Sequence, residues 1–176
     1  MRTIWRHNLA CALIAQQLAS AGTMDRDIAY TCGILHGIGL LALAVIRPRE
    51  YIDLLGTFIG TRMSMLAKER AIFGIDHSEL GKKLVEEWKL PEEFSIAMSG
   101  PYAPRPTDGR WGLPEIIGVS CRMADTAGFA PFSACHAAPF PDLLDELPPR
   151  ERSLFHSDIE SLSFEIGKKI AALEAI

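Results

Sequence analysis

The sequence predicts an all-α fold, and three features predict it. Apolar residues recur at spacings of three and four along nearly every patterned segment, the period of a helix with one buried face. Strand-type alternation is not sustained anywhere. Helix start and stop signals punctuate the patterned segments at helical intervals. A chain of 176 residues fits one domain of ordinary size. The expectation is therefore a single domain over residues 1–176, a bundle of about seven or eight helices.

Each element has its own signal. Leu9, Leu13, Ile14 and Leu18 mark one face of a helix over residues 8–19. A polar turn at 21–25 leads to a second helix, from Asp27 to Val45 or Ile46. It contains Gly33, Gly37 and Gly39, each costing about 1 kcal/mol against Ala at an exposed position. Three glycines so close predict close backbone packing or a local break beside His36. Pro48 suits the first turn of a third helix, to Gly56. Residues 60–73 form the next, with Gly74 as its C-terminal stop. Asp76 followed by Glu79 is a capping-box pattern. The helix that it opens carries Leu80, Leu84, Val85 and Trp88 on one side, predicted to face the core, and ends before Pro91. A short helix over 91–98 follows.

Residues 100–114 are rich in proline and glycine and read as a loop. Pro114 begins a helix through Gly128 with Ile116, Ile117, Met123 and Ala124 inward. Residues 129–150 read as irregular. Ser157 and Glu160 form a second capping box. It opens an amphipathic helix over about 157–174, with the stripe Ile159, Leu162, Ile166, Ile170 and Leu173.

Composition narrows the function. Hydrophobic residues are 48% and charged residues 23%, ordinary globular values. Eighteen Lys and Arg against 22 Asp and Glu give a net charge of −4. That balance disfavours nucleic acid as a partner. The uncharged stretch 30–46 is at the short edge for a membrane span, and His36 and three glycines make its middle too polar. No signal peptide opens the chain, so a soluble, cytoplasmic protein is expected. Cys11, Cys32, Cys121 and Cys135 form no C-x-x-C pair. They read as reduced thiols, Cys11 and Cys32 as small hydrophobes inside apolar helices.

Among the five histidines, His7, His36 and His77 lie near predicted helix ends in apolar settings, whereas His136 and His156 fall in or beside loops. Asp125 is a lone acid in an apolar helix, expected to pair with Arg122 or with another helix. Taken singly, each histidine is an ordinary buried residue needing one hydrogen-bond partner. Taken together, their order carries more.

The strings Trp5-Arg6-His7, AYTCGILHGIGLLAL over 29–43, Pro48-Arg49-Glu50-Tyr51 and Phe73 through Gly81 resemble the HDOD family. These are HD-related output domains of bacterial signalling proteins, within the HD superfamily of metal-dependent phosphohydrolases. The resemblance covers residues 4–128, is most specific from Gly74 to Pro91, and implies an HD-like helical bundle. In catalytic members a His-Asp pair, a separate His and a closing Asp hold metal that activates water. By resemblance, His7 matches the first histidine, His36 the histidine of the pair, His77 a later one and Asp125 the closing aspartate. Gly37 stands where the pair's aspartate belongs, and the later histidine pair would fall at Ser99-Gly100, where it is absent. The expectation is a degenerate site without metal, cofactor or catalysis, leaving His7, His36, His77 and Asp125 as a polar remnant pocket open to a small anionic or nucleotide ligand.

The favoured reading is a regulatory or interaction module serving a signalling partner or regulatory domain. The alternative is a divalent-metal phosphohydrolase or phosphodiesterase with an atypical ligand set, and an orphaned structural domain is a third. The resemblance also implies a helical half preceding the Trp-x-His segment, at which this chain begins. With a mean hydropathy of +0.13, that predicts a covered apolar face and a homodimer through residues 1–20 or 157–173.

Overall fold

The computed structural model describes residues 1–22, 24–102, 111–132, 138–155 and 158–175. Its helices are α1 (Arg2–Ala19), α2 (Arg26–Leu35), α3 (Ile38–Ile46), α4 (Pro48–Thr57), α5 (Arg62–Phe73), α6 (His77–Glu87) and α7 (Glu92–Ala97). They continue with α8 (Leu113–Ala124), α9 (Phe140–Asp145), α10 (Pro149–Arg152) and α11 (Ile159–Glu174). A 3₁₀ turn occupies Gly100–Tyr102, and a π turn, Asp125–Phe129, prolongs α8. The all-α class holds. There are three more helical segments than the eight read from the sequence, because the second predicted helix is broken and two short helices occupy 140–152.

α1 forms the axis of the bundle. Its residues from His7 to Ala12 are all buried, as are Ile14, Ala15, Leu18 and Ala19. Helices α2, α8 and α11 pack around it. One core joins them through Leu9, Ile14, Leu18, Ile117, Met123, Leu162 and Ile166. A smaller core of Ile4, Leu40, Leu43, Tyr51, Leu54 and Met65 ties α3, α4 and α5 to the start of α1.

Two glycines allow the tightest crossings. A Cβ on Gly33 would lie 2.3 Å from the Cα of Ala12, and one on Gly39 would lie 1.8 Å from the carbonyl oxygen of His77. Only a hydrogen side chain lets α2 lie on α1, and α3 on α6, at such range. Both outcomes predicted for the glycine cluster thus occur, since the helix also breaks at His36-Gly37.

The caps follow the sequence closely. Gly74 takes φ 75° at the end of α5, and Asp76 accepts from the backbone N–H of Glu79 at 2.8 Å. For α11 the cap is Asp158, which accepts from the N–H of Ser161 at 2.8 Å; the expected Ser157 lies outside the described residues, as do His136, His156 and Cys135. The expectation for Trp88 is overturned. It is 52% exposed, whereas α6 buries His77, Gly81 and Val85. Trp88 closes the helix as its C-cap, where the buried face has already rotated away. The stretch Arg26–Ile46 is long and apolar enough to cross a membrane by composition. In this fold it is two helices, half buried against α1, α6 and α8.

Candidate functional site

The site forms where α1, the α2–α3 break, the start of α5 and the end of α8 meet. His7 lies on the inward face of α1 and is fully buried. Its Nδ1–H donates to the carbonyl of Phe129, 3.0 Å away in the π turn. His36 is the residue at which α2 ends, and its Nδ1–H donates to the Gly33 carbonyl at 2.6 Å. Carbonyl oxygens only accept, so both Nδ1 atoms must carry hydrogen. The two Nε2 atoms then face each other at 3.3 Å. Two lone pairs would repel there, so one nitrogen carries an extra proton.

Of the two imidazoles, His36 is the one whose surroundings favour the extra proton. Burial lowers its pKa, but the charge and hydrogen bond of Cys121, aided by the Gly33 carbonyl, outweigh burial and hold it above the ordinary value. His7 is held below its ordinary value, chiefly by burial. The Cys121 sulfur and one nitrogen of each imidazole lie within 4.8 Å of one another. Burial raises the Cys121 thiol, yet the Cys11 hydrogen bond and the His36 charge bring it well below the usual thiol range. The opposed shifts make Cys121 and His36 an acid–base pair inside the core.

A second buried pair adjoins the first. Arg62, the first residue of α5, sends its Nη2 to both oxygens of Asp125, at 2.8 and 2.7 Å, and its Nε to Oδ2 at 3.1 Å. The same Nη2 lies 3.4 Å from His7 Nε2. Asp125 therefore pairs with another helix; Arg122 turns instead to Glu146 at 2.5 Å.

His77 is not brought into this cluster directly. Glu69 Oε2 accepts from its Nδ1 at 2.5 Å and its backbone N–H at 2.9 Å, while Oε1 accepts from the Tyr51 hydroxyl at 2.6 Å. The His77 Nε2 meets the hydroxyl of Tyr102. Three of the four predicted residues, His7, His36 and Asp125, thus share one buried network, and His77 belongs to a neighbouring one with Glu69, Tyr51 and Tyr102.

These residues do not fit a hydrolytic metal centre. The carboxylate expected at position 37 has no room, because a Cβ on Gly37 would lie 2.3 Å from Oδ1 of Asn8. The Asn8 amide fills that space, and its Oδ1 and Nδ2 are buried with no hydrogen-bond partner among the described residues. The remaining carboxylate, Asp125, is taken by a guanidinium. What is left around His7 and His36 is the Cys121 sulfur, a donor set of the kind zinc accepts and not the carboxylate-rich set that the resemblance implies.

Sequence reasoning missed Arg62, Cys121, Cys11 and Asn8. Two signals were present. Arg62 opens a helix, where the macrodipole disfavours a cation. Cys121 lies four residues before Asp125, on the same helix face.

The fold defines an HD-like helical domain, in which the Arg62–Asp125 ion pair lies beside His7 and His36. The HDOD domain family matches residues 1–104, and the chain belongs to that family. Among solved structures, the MmoQ response regulator of Methylococcus capsulatus str. Bath is similar, with 28% identity and a TM-score of 0.70. The match covers 92% of this chain and 61% of that one. An HDOD domain protein of unknown function from Geobacter sulfurreducens shares the fold at 17% identity and a TM-score of 0.58, over 98% of this chain and 60% of its own length. The chain therefore spans about three fifths of these structures. No curated protein matches it.

Proposed function

We propose that this chain is a non-catalytic regulatory or interaction module of bacterial signal transduction, acting in the cytoplasm on a signalling partner or regulatory domain. One observation carries the reading: Arg62 occupies Asp125 from two directions and contacts His7, supplying as a side chain the positive charge that a hydrolytic relative would take from metal. A fixed guanidinium neutralises the carboxylate but cannot activate water. Family membership and the likeness to a response regulator support the signalling context. The ligand class this reading allows is a small anion or nucleotide. His36 and Asp125 are each 7% exposed, so such a ligand would have to open the network to reach them.

The test is elemental analysis of protein purified without chelator, paired with hydrolysis of bis-p-nitrophenyl phosphate. Neither stoichiometric metal nor turnover is expected. Stoichiometric manganese, iron, zinc or nickel, with turnover abolished in His36→Ala, would establish the phosphohydrolase instead. Calorimetry with cyclic dinucleotides and guanosine polyphosphates tests the ligand, and no heat at millimolar concentration would retire it.

A further inference from the structure

The charge network accounts for the imidazoles, the guanidinium and the carboxylate, but not for the second thiol. Cys11 on α1 and Cys121 on α8 place their sulfurs 3.3 Å apart. Both are fully buried, and 110 positions separate them in sequence, so only tertiary packing makes the pair. One sulfur faces two imidazoles and the other faces the first sulfur and, at 3.9 Å, the carbonyl of Ile117. The imidazoles beside Cys121 set an attacking sulfur apart from a resolving one, and because both sulfurs are buried, an oxidant must be small and enter as the core opens.

We propose that Cys11 and Cys121 form a redox-convertible dithiol, closed to a disulfide by a small hydroperoxide, with Cys121 attacking and Cys11 resolving. In the first step the Cys121 thiolate attacks one peroxide oxygen. An S–O bond forms as the O–O bond breaks, the sulfur is oxidised by two electrons, and the leaving hydroxide takes a proton from the His36 imidazolium to become water. In the second, the Cys11 sulfur attacks the resulting sulfenic acid. The S–S bond forms, the S–O bond breaks, and the departing hydroxide carries the Cys11 proton away as a second water. Two thiols and one hydroperoxide thus give one disulfide and two waters when the peroxide is hydrogen peroxide.

Closing the pair brings the two sulfurs from 3.3 Å to bonding distance. Oxidation also removes the thiolate that balances His36, so the network would register the redox state. Cys32 serves as an internal control. Burial and the nearby Glu93 push its thiol up to about 12, and its contact is the Glu93 carbonyl 4.0 Å away.

The experiment is to expose the folded, unmutated protein to hydrogen peroxide, quench in denaturant with an alkylating agent, and map the peptides without reduction. The expected result is loss of two hydrogens in intact mass and a single Cys11–Cys121 cross-link, with Cys32 alkylated. In Cys11→Ala the reaction should stop at a sulfenic acid that dimedone traps on Cys121 after the quench. A folded protein that keeps both thiols free at exposures that oxidise its methionines would overturn the proposal. So would a cross-link that appears only after denaturation, or a bound metal that shields the pair. Because the decisive measurement is on unmutated protein, poor folding of the variant cannot decide the matter.

Discussion

At the scale of single residues, the site is a problem of buried charge. The Arg62 side chain is 10% exposed and that of Asp125 4%. Removing one partner of such a pair leaves the other buried without that counter-charge, which costs about 3–5 kcal/mol. Arg62→Met should therefore destabilise by about that amount in chemical denaturation, and adding Asp125→Asn should recover part of the loss. If Arg62→Met alone leaves the midpoint unchanged, the pair is not holding the site. The two histidines have opposite pH signatures. His7 is held below its ordinary value, so the unfolded chain takes up the proton more readily, and its contribution is lost as pH falls below about 6.5. His36 is held above its ordinary value, so its contribution is complete below about 6.5 and is lost as pH rises through its folded value. Cys121, held below the usual thiol range beside His36, has the opposite dependence, so the two oppose each other as pH rises and the net decline lies on the acid side. His7→Gln should make the acid-side decline shallower in chemical denaturation; an unchanged acid limb would mean that His7 does not take up the proton on unfolding.

Elements are held here by close approach more than by helix propensity. α2 reaches α1 because Gly33 has no Cβ to meet Ala12. Gly33→Ala would improve an isolated helix by up to about 1 kcal/mol, yet it forces the two backbones apart. Overpacking of this kind costs about 1–3 kcal/mol or more. A lowered melting temperature for Gly33→Ala is expected; a raised one would mean that helix propensity outweighs packing at this crossing. Trp88 is the converse case. The heptad-like spacing that placed it inward continued a pattern past the last turn of α6, where the core has ended. With half its surface exposed, Trp88→Ala should shift stability by no more than about 1 kcal/mol. A loss of several kcal/mol would restore the core assignment.

The whole molecule leaves some apolar surface uncovered. The predicted stripe of α11 is spent inside the chain, since Leu162, Ile166 and Ile170 belong to the core. Most of α1 is spent likewise. What remains of the two candidate dimer faces is Met1 and Trp5 at one end of the fold, and Phe164 with Leu173 along α11. Met1 also lines a groove of about 440 Å³ with Ile52, Leu55 and Phe132. A homodimer is expected from light scattering at micromolar concentration, weakened by Trp5→Glu or by Phe164→Glu according to which face it uses. A strictly monomeric protein would assign those faces to another segment or partner.

By itself the sequence determined the helical class, most element boundaries and their caps, because periodicity, proline, glycine and capping residues act within a few positions of themselves. It also determined the family, and it marked His7, His36, His77 and Asp125 as residues to watch. What fills the gap at Gly37, what neutralises Asp125 and which thiols meet were decided only by tertiary structure. Asn8, Arg62, Cys11 and Cys121 come from distant parts of the chain, and no local pattern encodes which of them will share a core. Buried charge must find its partner wherever the packing of α1, α5 and α8 delivers one.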